Sequence, residues 1–152
     1  MNTQEIHAEG VLLIQRQLLK YDIKSEPMEA HAGIDFRAYV PNAGKVFTVV
    51  VRTSLRPTPA GGKGRPSLGC WLHQTSRAEL VGLANLEGDQ AWLFLREEFE
   101  AKAQQKPKDR FHLYFYVEPE YRSRPGTHQR DFERFVINEH RIQKLFGIPI
   151  QT

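Results

Sequence analysis

The chain has 152 residues, of which 40% are hydrophobic and 26% charged, with a formal net charge of +3. That length suits a single domain, residues 1–152, able to bury about two-thirds of its unfolded surface, and the composition excludes disorder over most of it. The lone cysteine, Cys70, excludes an intramolecular disulfide, which points to a reducing, cytoplasmic compartment and a buried structural thiol beside Trp71.

No apolar run approaches the roughly 18 residues of a spanning helix, and "VLLI" (Val11–Ile14) follows Glu5 and Glu9 where a leader would carry basic residues. No membrane partner is expected. Thr3 to Lys20 reads as a helix capped by Thr3, with Ile6, Leu13 and Leu18 on an apolar stripe and Gln4, Gln15 and Lys20 facing water. "YDIKSEP" is a short extended piece ending at Pro27. "GIDFRAYV" alternates in the period of a strand, and "VFTVVVRT" (Val46–Thr53) is apolar on both faces for most of its length. The turn-rich "PNAGK" joins the two into a hairpin.

"LRPTPAGGKGRPSLG" (Leu55–Gly69) is rich in proline, glycine and basic residues and reads as a long, mobile loop, of a length that is functional or disordered in a compact domain. A second hairpin is expected from Ala78–Leu86 and Ala91–Phe99 around "EGDQ". The helix formers of "REEFEAKAQQK" follow, stopped at Pro107, and then an aromatic strand, Phe111–Val117. After the basic loop "PEYRSRPG", Gln129–Gly147 reads as one long helix with Phe132, Phe135, Val136, Ile142, Leu145 and Phe146 on its apolar face and Gly147 at its end. The order predicts an α/β (α+β) fold with a mixed central β-sheet flanked by helices.

Charge is patterned along the chain. Between Asp35 and Glu79 no acidic residue occurs, while Arg37, Lys45, Arg52, Arg56, Lys63, Arg65 and Arg77 fall in that interval. Arg122, Arg124 and Arg130 form a second basic cluster before the last helix. Arginine in glycine-rich segments suits phosphate, because guanidinium groups fork onto oxygens and the backbone approaches closely. Trp71, His73 and Tyr121 lie beside these clusters, as core or rim aromatics or as rings that stack on bases.

Other chemistries find no motif. His7, His31, His73, His112, His128 and His140 contain no HxxxH or HExxH pair, and there is no CxxC. "AGGKGRPS" is not a phosphate-binding GxxxxGK[ST] loop, and no GxSxG elbow is present. One constellation stands: Glu9 on the first helix, Asp35 on the first hairpin strand, and "VVVRT" on the strand paired with it. Acidic groups converging at one end of a sheet hold Mg²⁺, which activates water and shields charge on phosphate.

In "GIDFRAYV" and "VVVRTS" (Val49–Ser54) the chain resembles the PD-(D/E)xK nuclease superfamily, the restriction-endonuclease-like fold. The resemblance implies that Glu9, or Glu5 one turn earlier, is the helix glutamate and that Asp35 is the metal-binding aspartate. Val50 then falls where a second acid or glutamine belongs, and Arg52 where the lysine belongs. Val50 cannot ligate a metal, and Arg52, with a pKa above about 12, is a poor proton acceptor but a good partner for phosphate. Asp35 and Arg52 are alternatively expected to form a cross-strand ion pair in the metal's place.

Three functional readings follow. In the first, a nuclease-fold protein binds nucleic acid, DNA ahead of RNA, through Arg52, Arg56, Lys63, Arg65, Arg77, Arg122 and Arg124, with metal-dependent cleavage weakened or lost. In the second, it is an active Mg²⁺-dependent nuclease with Glu9, Asp35 and Arg52 at the centre and a relocated carboxylate from Glu29 or Glu79. In the third, it is a non-enzymatic interaction subunit that uses the last helix or the aromatic strand. A homodimer is compatible with each.

Overall fold

The computed structural model describes residues 1–28 and 33–147. Asn2 starts the first helix: its side chain accepts the Glu5 amide at 2.8 Å, and α1 runs Thr3–Leu19. The cap therefore lies one residue before Thr3. Gly10, Leu13, Ile14 and Leu18 form the buried stripe, at the spacing that brings side chains to one face of a helix.

Three antiparallel strands follow. They are β1 (Lys24–Pro27), β2 (Phe36–Tyr39) and β3 (Val46–Ser54). Asn42 and Gly44 turn the chain between β2 and β3 with φ of 65° and 74°, a left-handed conformation open to these two residue types. The second strand has close to its expected limits, Val46–Ser54, but the first is confined to Phe36–Tyr39 within "GIDFRAYV", so Asp35 lies just before it. β3 then runs parallel to β6 (Leu80–Asn85), which pairs antiparallel with β7 (Gln90–Leu95). The result is a mixed five-stranded sheet in the order β1-β2-β3-β6-β7.

The crossover from β3 to β6 overturns the expectation of a long loop over Leu55–Gly69. It contains β4 (Thr58–Pro59), a 3-10 turn (Ala60–Gly62) and the eight-residue strand β5 (Pro66–His73). Pro66 opens that strand, where proline is tolerated. Gly69 is there for contact: a Cβ on it would lie 2.5 Å from the Leu113 carbonyl oxygen. The aromatic strand β8 (Arg110–Tyr116) pairs with β5 in a separate three-stranded sheet, β4-β5-β8.

The expected final helix is also broken. Gln129–Phe135 is a 3-10 helix, Val136 is extended, and only Glu139–Phe146 forms the α-helix, α3. Two local forces reset the chain. The Ile137 amide bonds to the Ala91 carbonyl at 3.1 Å, fastening the β-branched pair Val136–Ile137 to the start of β7. Asn138 then caps α3 by accepting the Arg141 amide at 2.9 Å. Gly147 ends it in the left-handed conformation, φ 72°. The shorter helix α2, Arg96–Lys102, leads directly off β7.

Side-chain alternation sorts the core into two halves. Val49, Val51, Leu80, Ala84 and Leu93 pack with Ile14 and Leu18 of α1 and with Ile142, Leu145 and Phe146 of α3. Val50, Val81, Leu83, Trp92 and Phe94 face the opposite way, onto Leu68, Leu72, Leu113 and Phe115 of the second sheet and onto Phe99, Phe132 and Phe135. The five-stranded sheet is thus covered on both faces. This explains the unbroken valine run of β3, since a strand buried on both sides needs apolar residues at every position. All six residues of β6 are buried for the same reason. Among the described residues no helix is long and apolar enough to cross a membrane.

Candidate functional site

Asp35 sits at the mouth of the first hairpin, just before β2. Its backbone amide bonds to the Val49 carbonyl at 2.8 Å. Its carboxylate accepts the Val51 amide at 2.7 Å through Oδ2, and the His7 imidazole donates to Oδ1 at 2.7 Å. The β2–β3 pairing begins at Phe36 and Val49, so the carboxylate takes the place of the ladder carbonyl that β2 lacks beyond Phe36. Both oxygens are occupied by the chain itself.

The helix residue that meets Asp35 is His7. Glu9 is exposed and, two positions along a helix of about 100° per residue, points about 160° away from His7. Glu5 is exposed as well. The stripe carries its own signal for His7, which lies one turn before Gly10 on the buried side. A Cβ on Gly10 would come within 1.7 Å of Thr53 Oγ1, so glycine lets α1 lie directly on β3 and brings His7 down to the sheet.

β3 also separates the residues of the proposed motif. Val50 and Arg52 share the face turned to the second sheet, where Val50 is fully buried. Arg52 donates from Nε to the Trp71 carbonyl at 3.1 Å and from Nη1 to the Val51 carbonyl at 3.3 Å. Val49 and Val51 face α1, as does Thr53 beside Gly10. The expected Asp35–Arg52 ion pair is therefore not formed: Asp35 is held on the α1 side by His7, and Arg52 is anchored to the opposite layer. The α1-facing positions that neighbour Asp35 along β3 are Val51 and Thr53, and neither carries a charge.

Glu79, a candidate source of a relocated acid, accepts the Thr48 amide at 3.1 Å and the Thr48 hydroxyl at 3.3 Å. Glu29 lies outside the described residues. Among the described residues no three His, Cys, Asp or Glu side chains are grouped so as to hold a metal ion. Mg²⁺ is held by one or two carboxylates with water and phosphate completing its octahedron; here Glu9 is turned away from Asp35, and each Asp35 oxygen already accepts a hydrogen bond, so the expected donor set is a poor fit.

The basic residues are exposed: Arg56 before β4, Lys63 and Arg65 on the turn into β5, Arg77 before β6, and Arg122 and Arg124 in the loop after β8. Several meet acids from distant parts of the chain. Arg37 pairs with Glu26 at 3.7 Å, Arg56 with Glu87 at 3.2 Å and Arg65 with Glu118 at 3.5 Å. Folding therefore brings acids to a block that is free of them in sequence, although exposed pairs of this kind are weak and phosphate competes for them. Arg65 also lies over the Tyr121 ring, 5.5 Å from its centroid. This contact joins the turn carrying Lys63 and Arg65 to the loop carrying Arg122 and Arg124.

The outer face of the second sheet carries aromatic side chains. Trp71 stacks on His112 with ring centroids 4.1 Å apart and an interplanar angle of 6°. Tyr114, Tyr116 and Tyr121 continue the row. Burial, then the Arg110 charge, lowers the His112 pKa below its usual value, so this ring is neutral at pH 7. Burial, followed by the neighbouring phenols of Tyr114 and Tyr121, raises that of Tyr116. Beneath this face, burial pushes the Cys70 thiol up to about 12 against the pull of Arg52. The thiol is therefore inert at neutral pH.

This mixed sheet, flanked by helices, is a nuclease-like fold. It is similar to the structure of a bacterial homing endonuclease, I-Ssp6803I, with a TM-score of 0.56 and 13% sequence identity over 83% of this chain and 86% of that one. No family model matches the chain, and no curated protein matches it.

Proposed function

We propose that this protein binds nucleic acid, DNA in preference to RNA, on a nuclease-like fold of the PD-(D/E)xK type whose metal-dependent phosphodiester cleavage is weakened or lost. The observation that carries the proposal is the Arg65–Tyr121 contact. It unites two basic clusters far apart in sequence into one exposed, arginine-rich surface suited to phosphate oxygens. The loss of cleavage is supported by Asp35, whose two oxygens serve His7 and the Val51 amide, and by the alkyl side chain of Val50 in the core. Arg52, Arg56, Lys63, Arg65, Arg77, Arg122 and Arg124 supply the positive charge for phosphate. The similarity to a homing endonuclease supports the choice of nucleic acid over other polyanions as the partner.

The test is titration of labelled duplex and single-stranded DNA and RNA across a salt series. Binding that weakens steeply with salt, as counterion release requires, is the expected result. No binding even at low salt overturns the proposal.

A further inference from the structure

We infer that the outer face of the three-stranded sheet is a base-stacking site for single-stranded DNA, an inference that rests on the nucleic-acid reading above and goes beyond it. The β5–β8 register sets Gly69 opposite Tyr114 and Trp71 opposite His112. The inner face of the same strands is core, through Leu68, Leu72, Leu113 and Phe115. The outer face carries aromatic rings with no layer of protein described over them, and Trp71 keeps 38% of its surface exposed.

Gly69 leaves the middle of this face without a side chain. Around it runs a groove of about 630 Å³, walled by the aromatic row on one side and by Thr58 and Ser67 among others. Flat rings with hydroxyls close by are what unpaired bases need for stacking and for edge hydrogen bonds. Bases inside a duplex already stack on each other and cannot enter such a groove.

One contact marks where a base would lie. The Arg110 guanidinium covers the Trp71 ring 4.2 Å from its centroid, while His112 stacks against the same indole. Arg110 stands at the start of β8 with its side chain about half exposed. A base has the same planar shape and takes the guanidinium's place on the indole, which releases Arg110 to a phosphate. Lys63 and Arg65, on the turn that follows the groove-lining Ala60, supply further charge along the strand.

The experiment is fluorescence titration of the full chain with a single-stranded deoxyribo-oligonucleotide, the duplex of the same sequence and the matching ribo-oligonucleotide. Trp71→Leu and Tyr114→Leu keep apolar cover but remove the aromatic faces, and Lys63→Ala serves as an electrostatic control. The expected result has three parts. Wild-type protein binds the single-stranded DNA at least tenfold tighter than the duplex, with quenching of tryptophan emission that Trp71→Leu abolishes. The two leucine variants lose about fivefold or more on single strands only, and Lys63→Ala weakens all ligands alike. Equal or tighter binding of duplex, or single-strand binding without quenching, overturns the inference and leaves the nucleic-acid reading standing. Tighter binding of the ribo-oligonucleotide overturns the assignment to DNA. Absence of binding to all three ligands overturns both. The wild-type comparison and the quenching decide the matter even if a variant does not fold.

Discussion

His7 Nε2 lies 2.7 Å from Asp35 Oδ1 and ties α1 to the mouth of the hairpin that carries the valine strand. Asp35 accepts from the Val51 amide on its other oxygen, so the aspartate acts as a structural clasp between helix, β2 and β3. Asp35→Ala leaves the Val51 amide without its partner, which costs about 1–3 kcal/mol. His7→Ala removes only a partly exposed donor and costs less than half as much. Urea denaturation of the two variants checks the order. If Asp35→Ala is as stable as wild type, the carboxylate is not held as a clasp.

The approach of α1 to β3 depends on Gly10. Gly10→Ala gains helix propensity of about 1 kcal/mol, but the new methyl meets Thr53 Oγ1, and overpacking costs about 1–3 kcal/mol. The expected net effect is destabilisation, with partial rescue by Thr53→Ala in a double-mutant cycle. The rescue is partial because a Cβ at Gly10 would also stand 2.7 Å from the Thr53 Cβ.

Arg141 of α3, with a side chain only 1% exposed, pairs with Glu98 of α2 through both nitrogens of its fork and donates from Nε to the Leu93 carbonyl at 2.9 Å. Burial pushes the Glu98 pKa up, but the Arg141 hydrogen bond, the Leu95 amide and the charges of Arg141 and Lys144 outweigh it, so the net shift is downward. A lowered carboxylate pKa contributes stability above the unfolded value of about 4.3, and that stability is lost as pH falls through the folded value. Glu98→Ala strands a buried guanidinium, so it is expected to cost about 3 kcal/mol at pH 7. Thermal melts between pH 7 and pH 3 should show a gap from wild type that narrows as the acid limb is reached. A constant gap contradicts the assignment.

Cys70 is buried with its pKa pushed up to about 12, so a thiol reagent at pH 8 should label it slowly in the native protein and fast in urea. Rapid native labelling would place the thiol at the surface.

The first hairpin, the second hairpin and the aromatic strand were legible in the sequence because period-two patterns and turn residues mark them directly. β5 was hidden by Pro66 and Gly69, which read as loop punctuation. Their real roles, a strand's first position and a close approach to Leu113, are set by a partner strand 45 residues away in the register Gly69–Tyr114 and its neighbours. The break at Val136–Ile137 was hidden for a similar reason. The bond to Ala91 that extends the chain there is tertiary, while the phenylalanine spacing suits a 3-10 and an α-helix alike. Within the site, Asp35 was visible as a special residue. Its partner was not: helix phase selects His7 over Glu9, and only the seating of Gly10 on Thr53 fixes that phase. The face on which Arg52 ends depends on strand alternation, which the sequence carries, and on which layer lies over each face, which it does not. In the sequence His112, Tyr114 and Tyr116 show only as part of a strand; their assembly with Trp71 requires the β5–β8 pairing.

The most direct measurement is anisotropy titration of labelled DNA with the 152-residue chain in Mg²⁺ at rising salt, with the same samples run on a denaturing gel. The account predicts salt-sensitive binding and intact DNA, with Asp35→Ala leaving the DNA equally intact. Absence of binding at low salt, or rapid Mg²⁺-dependent cleavage that disappears in Asp35→Ala, contradicts it.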